Sequence, residues 1–552
     1  MRTKFIVTNI TALKKKYGAK YAKVETAVKQ LIATDAARQI ITTVWDVSDT
    51  VTMKKAGGKR VTKVANPKQN KDAVDAIYGS GKPDYILLLG SVDVIPHQNL
   101  ENPVFDGKLD NDKTAWGDLP YACEQAYSTD VNDFIAPTRV VGRLPDITGA
   151  TDPTHLVKVL GNAATWVPLA PSHYKDYFAL STESWQKSTK LSIKKVFGSD
   201  KNLMVSPTAG PKWTKGELKA LPHFINCHGA SGRMSFYGEN LAKTSQPESH
   251  QTVFVRNNIE PGTVAAVECC YGAELYRPGT TTSDKENGIC QEYLHDDAYG
   301  FFGSTTIAYG PANEMGAADI ICAAFLQHVR EGDSLGMAAL KARQDFVKAA
   351  TKFDLMDQKT LAQFNLLGDP SIHPVAEGSK ATRKTVARPK GLLGLKSAVS
   401  VASKQPQLDD GYRKRRAQLA KRGPEIAAQT AVVRAVAPAD DDAAARARAA
   451  VEQRGGKATQ VIACETAPPA VAPKSKAKIK ALGVAPGKAA APRRSFLVKA
   501  RHAGESPAIT IKGKGLAKNK QAAAPKLKHF SVSVVEEQND GTMQVTRELF
   551  AK

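Results

Sequence analysis

Two short apolar runs decide the fold of this chain: HFINCHG at residues 223–229 and TVAAVECCYG at residues 263–272. Each run ends at a glycine, a pattern that favours a buried strand followed by a sharp turn. If the two strands are neighbours and parallel, their ends meet at one edge of a sheet, and a histidine of the first lies close to a cysteine of the second. This pair has the chemistry of a nucleophile and its base, because a thiol attacks a carbonyl only as the thiolate.

Alternating apolar strands and amphipathic helices surround these two runs. Strands are expected at about residues 5–7, 39–47, 85–90, 177–181, 203–206 and 300–309. Helices are expected at about residues 21–37, 72–78, 154–166, 319–330 and 335–349. The alternation predicts the α/β class, with a mostly parallel sheet that helices cover on both faces.

The positive charge of the chain is concentrated in its last third. The 552 residues carry 77 Lys and Arg against 54 Asp and Glu, a net charge of +23. Residues 376–552 contain 35 of the basic and 14 of the acidic side chains, a net of +21, which leaves the first 375 residues almost neutral. Residues 380–406 and 467–528 are dominated by Ala, Lys, Pro and Gly, and we expect this composition to bury too little apolar area to fold.

The basic tail has more than one interpretation. We favour a solvated, cleavable linker; binding of nucleic acid or of an anionic surface through Lys and Arg is the less favoured partner prediction. The scarcity of aromatic residues argues against stacking on single-stranded bases. The tail leads to an alternating hairpin with Asn-Asp-Gly at residues 539–541. Residues 495–501 and 509–512 are its expected partners, because a lone hairpin is only marginally stable.

The seven cysteines are scattered and show neither a disulfide framework nor a Cys-x-x-Cys zinc pattern. The apolar run at residues 5–7 is too short for a signal peptide, and no run approaches the ~18 apolar residues of a membrane span. We therefore expect a cytoplasmic protein with reduced thiols and no membrane span, metal or cofactor. Glycine and lysine occur together at residues 57–59 and 79–82 without the Walker spacing, so no nucleotide site is predicted.

Six motifs, in order, resemble the caspase-like cysteine peptidases of clan CD, and within them the gingipain-type peptidase domain. The His-Gly pair at residues 228–229 and the Cys-x-Gly triplet at residues 270–272 are similar to the family's two catalytic segments. The other four motifs resemble its first core strand and turn, its Gly-Arg segment, its specificity-pocket wall and its Gly-Asp-Pro closing motif, at residues 85–96, 141–145, 304–305 and 365–371. The resemblance implies a caspase-like fold over about residues 85–375.

With the resemblance, the chain is expected to have four parts. Residues 1–84 form an N-terminal α/β part of the peptidase region, and residues 85–375 form the caspase- or gingipain-like catalytic domain. Residues 376–494 are a basic Ala/Lys/Pro-rich linker, largely disordered. Residues 495–552 are a small β segment with the C-terminal hairpin. The predicted fold is thus a caspase-like α/β domain followed by a basic low-complexity tail and a small β element.

The resemblance also assigns catalytic roles. The family's nucleophile is followed by one residue and then by a small one, which selects Cys270 rather than Cys269, with His228 as its base. Glu183 matches the place of a carboxylate that orients the histidine, and the alternative is an exposed loop glutamate. The glycines near the reactive residues permit close approach of a substrate, so backbone N–H groups of Gly229 and Cys270 are the predicted oxyanion donors.

Substrate selection is only partly indicated. Ser304 and Thr305 resemble the family's pocket wall, and Tyr309 is predicted to join them. Arginine-selective relatives have an acidic residue in the pocket, yet residues 184–188 contain no carboxylate. Glu183, Asp118 or an acid elsewhere in the chain are the open alternatives.

The resemblance implies a cysteine endopeptidase that works through a Cys-His dyad and a thioester acyl-enzyme. A protein or peptide is the expected substrate, a basic residue is expected before the scissile bond, and the Lys-rich tail is a candidate for self-cleavage. The alternative function is a non-catalytic scaffold of the same fold, whose basic tail engages an acidic partner or nucleic acid. An intact dyad favours the enzyme, since a scaffold needs neither group.

Overall fold

The structure is a computed structural model, and it describes residues 1–350, 352–376, 411–467, 494–502 and 529–552. Its strands are β1 Arg2–Thr8, β2 Ile40–Asp46, β3 Tyr85–Leu89, β4 Gln98–Glu101, β5 Thr114–Gly117, β6 Val141–Leu144, β7 Phe178–Thr182, β8 Leu203–Ser206, β9 Pro222–Asn226, β10 Ser235–Tyr237, β11 Glu248–Gln251, β12 Val264–Val267, β13 Gly300–Ser304, β14 Tyr309–Gly310, β15 Lys352–Phe353, β16 Phe364–Leu367, β17 Ala431–Pro438, β18 Gly456–Ala467, β19 Ser495–His502, β20 Phe530–Glu537 and β21 Met543–Ala551. Its α-helices are α1 Ile10–Tyr17, α2 Tyr21–Ala37, α3 Thr50–Lys55, α4 Pro67–Gly81, α5 Thr154–Thr165, α6 Gln186–Phe197, α7 Thr252–Val255, α8 Ile289–His295, α9 Ala318–Arg330, α10 Leu335–Ala349, α11 Leu355–Gln363, α12 Gly411–Gln429 and α13 Asp442–Glu452. Short 3-10 helices span Gly18–Lys20, Leu119–Ala122, Val131–Phe134 and Pro171–Tyr174.

A ten-stranded sheet forms the centre of the described structure, in the order β2-β1-β3-β6-β16-β13-β12-β9-β7-β8. Neighbouring strands are parallel, except where β13 meets β16 in an antiparallel pair. Helices flank the sheet, and successive side chains of a strand enter opposite apolar cores: Phe224 and Ala266 lie in one, Ile225 and Val267 in the other. The predicted α/β class, with a mostly parallel sheet covered on both faces, is confirmed.

Residues 1–84 extend the same sheet. β1 pairs with β3 on one side and with β2 on the other, so this part adds edge strands to the sheet. Buried Lys4 in β1 lies 2.6 Å from Asp35 and 2.6 Å from Asp369, and it thereby joins the N-terminal strands to the Gly-Asp-Pro turn after β16. The carboxylates compensate the cost of burying the ammonium, which gives this turn a structural role.

A second sheet contains seven strands of the described residues, in the order β14-β21-β20-β19-β18-β17-β15. Its two edge strands, β14 and β15, come from the 85–375 part, so the C-terminal strands are paired with that part at both ends. The expected pairing of residues 495–501 with the hairpin is present, as β19 beside β20. The other expected partner, 509–512, lies outside the described residues.

Residues 411–467 differ from the prediction of a largely disordered linker. They form α12, β17, α13 and β18, and the alanines of α13 pack against Phe496 and Val498 of β19. Composition is misleading here because small alanine side chains bury little area individually, but β18 and β19 are paired along a long ladder that gives α13 a surface on which to pack. Residues 377–410 and 468–493 of the predicted linker lie outside the described residues.

Polar contacts also attach the second sheet to the first part of the chain. Arg547 of β21 lies 2.8 Å from Asp357 at the start of α11, and buried Lys499 of β19 lies 3.3 Å from Asp106. Among the helices of the described ranges, none combines the length and the apolar character needed to cross a bilayer.

Candidate active site

His228 lies just beyond β9, where the chain leaves the central sheet. Its N–H donates to Tyr237 O at 2.9 Å and its carbonyl accepts from Tyr237 N at 2.8 Å, so a short bridge to β10 fixes the backbone. The imidazole packs against Trp185, with 4.4 Å between the ring centroids. Its Nε2 atom lies 3.1 Å from Oε1 of Glu239. These contacts hold the ring in one orientation.

Cys270 follows β12, the strand beside β9, and lines with His228 a common cavity of about 230 Å³. The sheet edge therefore brings the predicted nucleophile and base together. The N–H of Cys270 donates to the carbonyl oxygen of Lys552 at 3.0 Å. Its Sγ accepts from Ala308 N at 3.2 Å, and burial raises the pKa of this thiol to about 12. The thiol is thus largely protonated in this arrangement.

The backbone around the two reactive residues has no room for larger side chains. A Cβ on Gly229 would lie 1.7 Å from the carbonyl oxygen of Cys270, so glycine permits this close approach of the strand ends. Tyr271 has a φ of 56°, in the left-handed region, and this reversal directly follows Cys270. Its hydroxyl donates to Asp112 at 2.7 Å, which stabilises the turn.

The neighbouring cysteines face the opposite core of the sheet. Cys269 and Cys227 belong to the core that contains Val267, whereas Cys270 belongs to the one that contains Ala266. The Sγ of Cys269 accepts from Cys227 N at 3.4 Å. Burial, the first of several causes, raises the pKa of both thiols. Cys270 is therefore the cysteine of the pair that lines the cavity with His228.

The carboxylate beside His228 belongs to Glu239, a residue that the sequence analysis did not single out. Its Oε1 atom is also 3.0 Å from Nδ1 of His529 and 3.0 Å from Nε2 of Gln246. Burial opposes ionisation of Glu239, but the charge and hydrogen bonding of His228, with smaller contributions from neighbours, lower its pKa to about 2. Glu239 is thus a buried, ionised carboxylate beside the imidazole.

Glu183, the predicted orienting carboxylate, lies nearby but makes a different contact. Its Oε2 atom accepts from Leu241 N at 3.0 Å, and its backbone N–H donates to the carbonyl oxygen of Glu239 at 3.0 Å. It therefore supports the segment that carries Glu239. The sequence gives no signal that Glu239 rather than Glu183 lies beside His228, because the backbone bridge between His228 and Tyr237 is what places residue 239 next to the imidazole.

A buried acidic pocket adjoins Cys270 and holds the side chain of Lys552. The Nζ atom contacts the carboxylate of Glu268 and lies 3.0 Å from Oδ1 of Asp319; all three side chains are fully buried. Burial alone would lower the pKa of the ammonium, but Asp319 and Glu268 raise it. The two carboxyl groups compensate the cost of burying the ammonium in this pocket.

The shape of this pocket also matches an unbranched side chain. Nζ of Lys552 lies 5.7 Å from the centroid of the Trp185 ring. A Cβ on Gly310 would lie 2.0 Å from Cε of Lys552, so the absence of a side chain at Gly310 makes space for the lysine. The pocket is closed around the four-carbon stem and polar at its end.

The three residues predicted to form the substrate pocket, Ser304, Thr305 and Tyr309, make different contacts in the structure. Tyr309 pairs through its backbone with Ala551, while its hydroxyl donates to Asp110 at 2.6 Å. The Ser304 hydroxyl donates to Thr306 O at 2.9 Å, and that of Thr305 donates to Trp116 O. Backbone pairing thus brings Tyr309 to the cleft, whereas Ser304 and Thr305 are engaged in shaping the loop after β13.

The sequence analysis did not single out the two acidic residues of the pocket, Glu268 and Asp319, although the position of Glu268 is unusual. Glu268 follows four apolar residues of β12 and precedes the cysteine pair, and a carboxylate in a fully apolar strand needs a buried partner. Asp118, one open alternative, is instead 2.6 Å from Arg143 and 2.9 Å from His97. Asp319 on α9 gave no comparable signal, because acidic residues are common in the first turn of a helix.

Two groups of side chains in the described ranges have the geometry to approach a metal ion, one on α8 and the turn after it, the other at the end of α9. They are Glu292, His295 and Asp296, and His328, Glu331 and Asp333. Both are engaged in ion pairs, for example Glu292 with Arg256 at 2.7 Å. Neither group contains a residue of the cleft described above.

A known peptidase family matches part of this chain. Residues 226–375 match the model of Peptidase family C25, which covers the His-Gly, Cys-x-Gly and Gly-Asp-Pro motifs and confirms the predicted resemblance. The match supports cysteine peptidase chemistry for this part of the chain.

Solved structures with a similar fold share little sequence with this chain. One described as a protease is 14% identical, with 68% of this chain and 78% of that chain covered and a TM-score of 0.45. The complex of Porphyromonas gingivalis RgpB pro- and mature domains is 12% identical, with coverages of 67% and 79% and a TM-score of 0.41. The Saccharomyces cerevisiae separase–securin complex is 12% identical, with coverages of 43% and 14% and a TM-score of 0.27. A search of curated proteins found no match.

Proposed function

We propose that the protein is a cysteine endopeptidase that cleaves after lysine, with Cys270 as nucleophile and His228 as base. The observation that carries the specificity is the buried Lys552 side chain between Glu268 and Asp319, next to the Cys270 backbone. A lysine before the scissile bond would place its ammonium at these carboxylates and its carbonyl at Cys270.

The catalytic steps follow from the contacts around His228. With Nε2 directed towards Glu239, Nδ1 is the ring nitrogen left to receive the proton of the Cys270 thiol. The thiolate then attacks the carbonyl carbon, and the N–H of Cys270, with the adjoining Gly229 turn, stabilises the oxyanion. The imidazolium returns the proton to the leaving amine, which frees the first product and leaves a thioester. Water, deprotonated by His228, hydrolyses the thioester and restores the thiol.

The preference for lysine over arginine follows from the charge and the size of the pocket. An ammonium is a compact point charge on a flexible stem, and Nζ of Lys552 already reaches both carboxylates. A guanidinium is larger and planar, and the closed pocket beside Gly310 would have to widen to admit it. An uncharged side chain of the same length would fill the space but leave two buried carboxylates without a cation, which is unfavourable.

A panel of fluorogenic peptides that differ only in the residue before the cleaved bond tests this proposal. We expect kcat/KM to be at least about 10-fold higher for lysine than for arginine and about 10²-fold higher than for norleucine, which is a lysine without its charge. Equal rates for lysine and norleucine would contradict the specificity. Absence of cleavage of every peptide, together with absence of labelling of Cys270 by an electrophilic lysyl peptide, would favour the non-catalytic scaffold.

Replacing Glu239 by glutamine tests which carboxylate orients the base. Loss of its charge removes the group that stabilises the imidazolium, so kcat is expected to fall by about 10²- to 10⁴-fold with little change in KM. Glu183→Gln is the matched control, and it should leave kcat within about threefold, because Glu183 contacts the Leu241 backbone. The reverse ranking of the two variants would return the orienting role to Glu183.

A further inference from the structure

Residues 550–552, at the end of the segment 543–552, lie in the cleft as the acyl side of a bound peptide would. β21 adds antiparallel to β14, with Ala551 opposite Tyr309 and Phe550 opposite Gly310. Beyond the strand, Lys552 N donates to Ala308 O at 3.0 Å, and its carbonyl oxygen accepts from Cys270 N at 3.0 Å. Strand addition to an exposed edge is a general way to hold an extended peptide, with the backbone giving affinity and side-chain pockets giving selectivity.

The same segment covers the reactive thiol. Cys270 is 4% exposed, and its Sγ is held at Ala308 N, on the loop to which Lys552 also binds. Burial raises the pKa of the thiol to about 12, so it is mostly neutral at physiological pH. The segment therefore occupies the backbone of β14, the N–H of Cys270 and the acidic pocket, which a substrate peptide would need.

From these contacts we propose that the segment 543–552 is a tethered competitive inhibitor of the peptidase, with Lys552 as its anchor in the specificity pocket. This inference rests on the proposed function, because it assigns the pocket of that same site to a segment of the chain itself. It goes further in stating that the site is closed until Ala551 and Lys552 leave it.

The connections of β21 show how opening can remain local. Its ladder with β20 has seven register pairs, from Ser531–Phe550 to Glu537–Met543, whereas its ladder with β14 has two. Ala551 and Lys552 lie beyond the β20 ladder, so they can leave the cleft while the hairpin stays in place. A tethered ligand competes at a high effective concentration, yet sufficient substrate displaces it.

Deletion of Ala551 and Lys552 in the otherwise full chain tests the proposal. For a tethered competitor, the apparent affinity for substrate rises as the open fraction rises, so KM for a lysyl peptide should fall at least about 10-fold with kcat unchanged. Alkylation of Cys270 should accelerate, and its rate should reach a plateau at lower pH, because the exposed thiol has a lower pKa. Lys457→Glu, at an exposed position of β18, is the charge control and should change neither measurement.

A synthetic peptide of residues 543–552 gives a second measurement on the deletion variant. It should inhibit competitively, and the same peptide with Lys552→Glu should not, because it would bring a third carboxylate into the pocket. Unchanged KM on deletion, or a fall in kcat that the peptide restores, would overturn the inhibitory role. Either result would leave lysine-selective, Cys270-dependent cleavage intact, whereas loss of that cleavage in both forms would refute the proposed function itself.

Discussion

Replacing Cys270 by alanine is expected to lower kcat for lysyl peptides by at least about 10³-fold and to abolish covalent labelling. Among the described residues that line the cavity, Cys270 alone carries a thiol, and alanine at this position keeps the backbone N–H that we expect to bind the carbonyl oxygen. Binding of a lysyl peptide should therefore survive the substitution, which a fluorescence-based binding titration can measure beside the kinetics. Loss of turnover with retained binding would assign Cys270 to the chemical step.

Cys269→Ala is the matched control for this experiment. Its thiol lies in the opposite core of the sheet and makes a contact of 3.4 Å with Cys227 N, so its removal should cost little stability and leave kcat within about threefold. If Cys269→Ala alone abolished labelling, the nucleophile would be the first cysteine of the pair, and the strand would have to present its other face to the cleft.

The sequence was sufficient to predict that His228 and Cys270 lie together at one edge of the sheet. The two runs around residues 223–229 and 263–272 are short, apolar and followed by glycine, and each of these features is local. Local features predict a buried strand, and parallel strands place their ends at one edge. The pairing of β12 with β9 and the shared cavity of His228 and Cys270 follow from this reasoning.

The groups that the sequence could not place are those brought in by distant segments. Glu239 reaches His228 through a bridge at Tyr237, and His529 reaches Glu239 from the C-terminal strands. Lys552 meets Glu268 across 284 positions of sequence. Glu268 itself was visible as a charge in an apolar strand, but the sequence does not state which cation lies opposite such a charge.

The tail shows a different limit of composition-based reasoning. Alanine-rich, basic segments are typical of unfolded linkers because each side chain buries little area. In residues 411–467 this is offset by docking on existing structure: Arg416 donates to Thr138 O, and Gln344 of α10 donates to Leu419 O at 2.8 Å. The folding of such a segment depends on a template that lies elsewhere in the chain.

Replacing Asp319 by asparagine should remove most of the preference for lysine. Truncating one partner of a buried charge pair typically costs 2 to 5 kcal/mol, so we expect kcat/KM for lysyl peptides to fall by about 10²-fold or more. The value for norleucyl peptides should stay constant or rise, because fewer buried carboxylates then lack a cation. The ratio of the two substrates is the measurement, since it cancels general effects on folding or on Cys270.

Glu268→Gln is expected to have a smaller effect, of about 10-fold. Burial and the neighbouring Asp319 raise the pKa of Glu268 well above its ordinary value, while the ammonium of Lys552 opposes this shift. A carboxyl with a raised pKa loses its charge earlier as the pH falls, so its contribution is lost as the pH falls through that raised pKa. The lysine-to-norleucine ratio of the wild type should therefore decline as pH falls through this raised pKa, and Glu268→Gln should remove that decline.

Glu25→Gln is the control for both pocket variants. Its carboxylate is paired with Lys29 on the exposed face of α2, so the ratio of lysyl to norleucyl hydrolysis should not change. If the ratio of lysyl to norleucyl hydrolysis is also unchanged in Asp319→Asn, the pocket does not distinguish a charged substrate side chain from an uncharged one. A ratio that collapses in Asp319→Asn while Cys270 labels normally would instead separate recognition, at Asp319 on α9, from chemistry at Cys270.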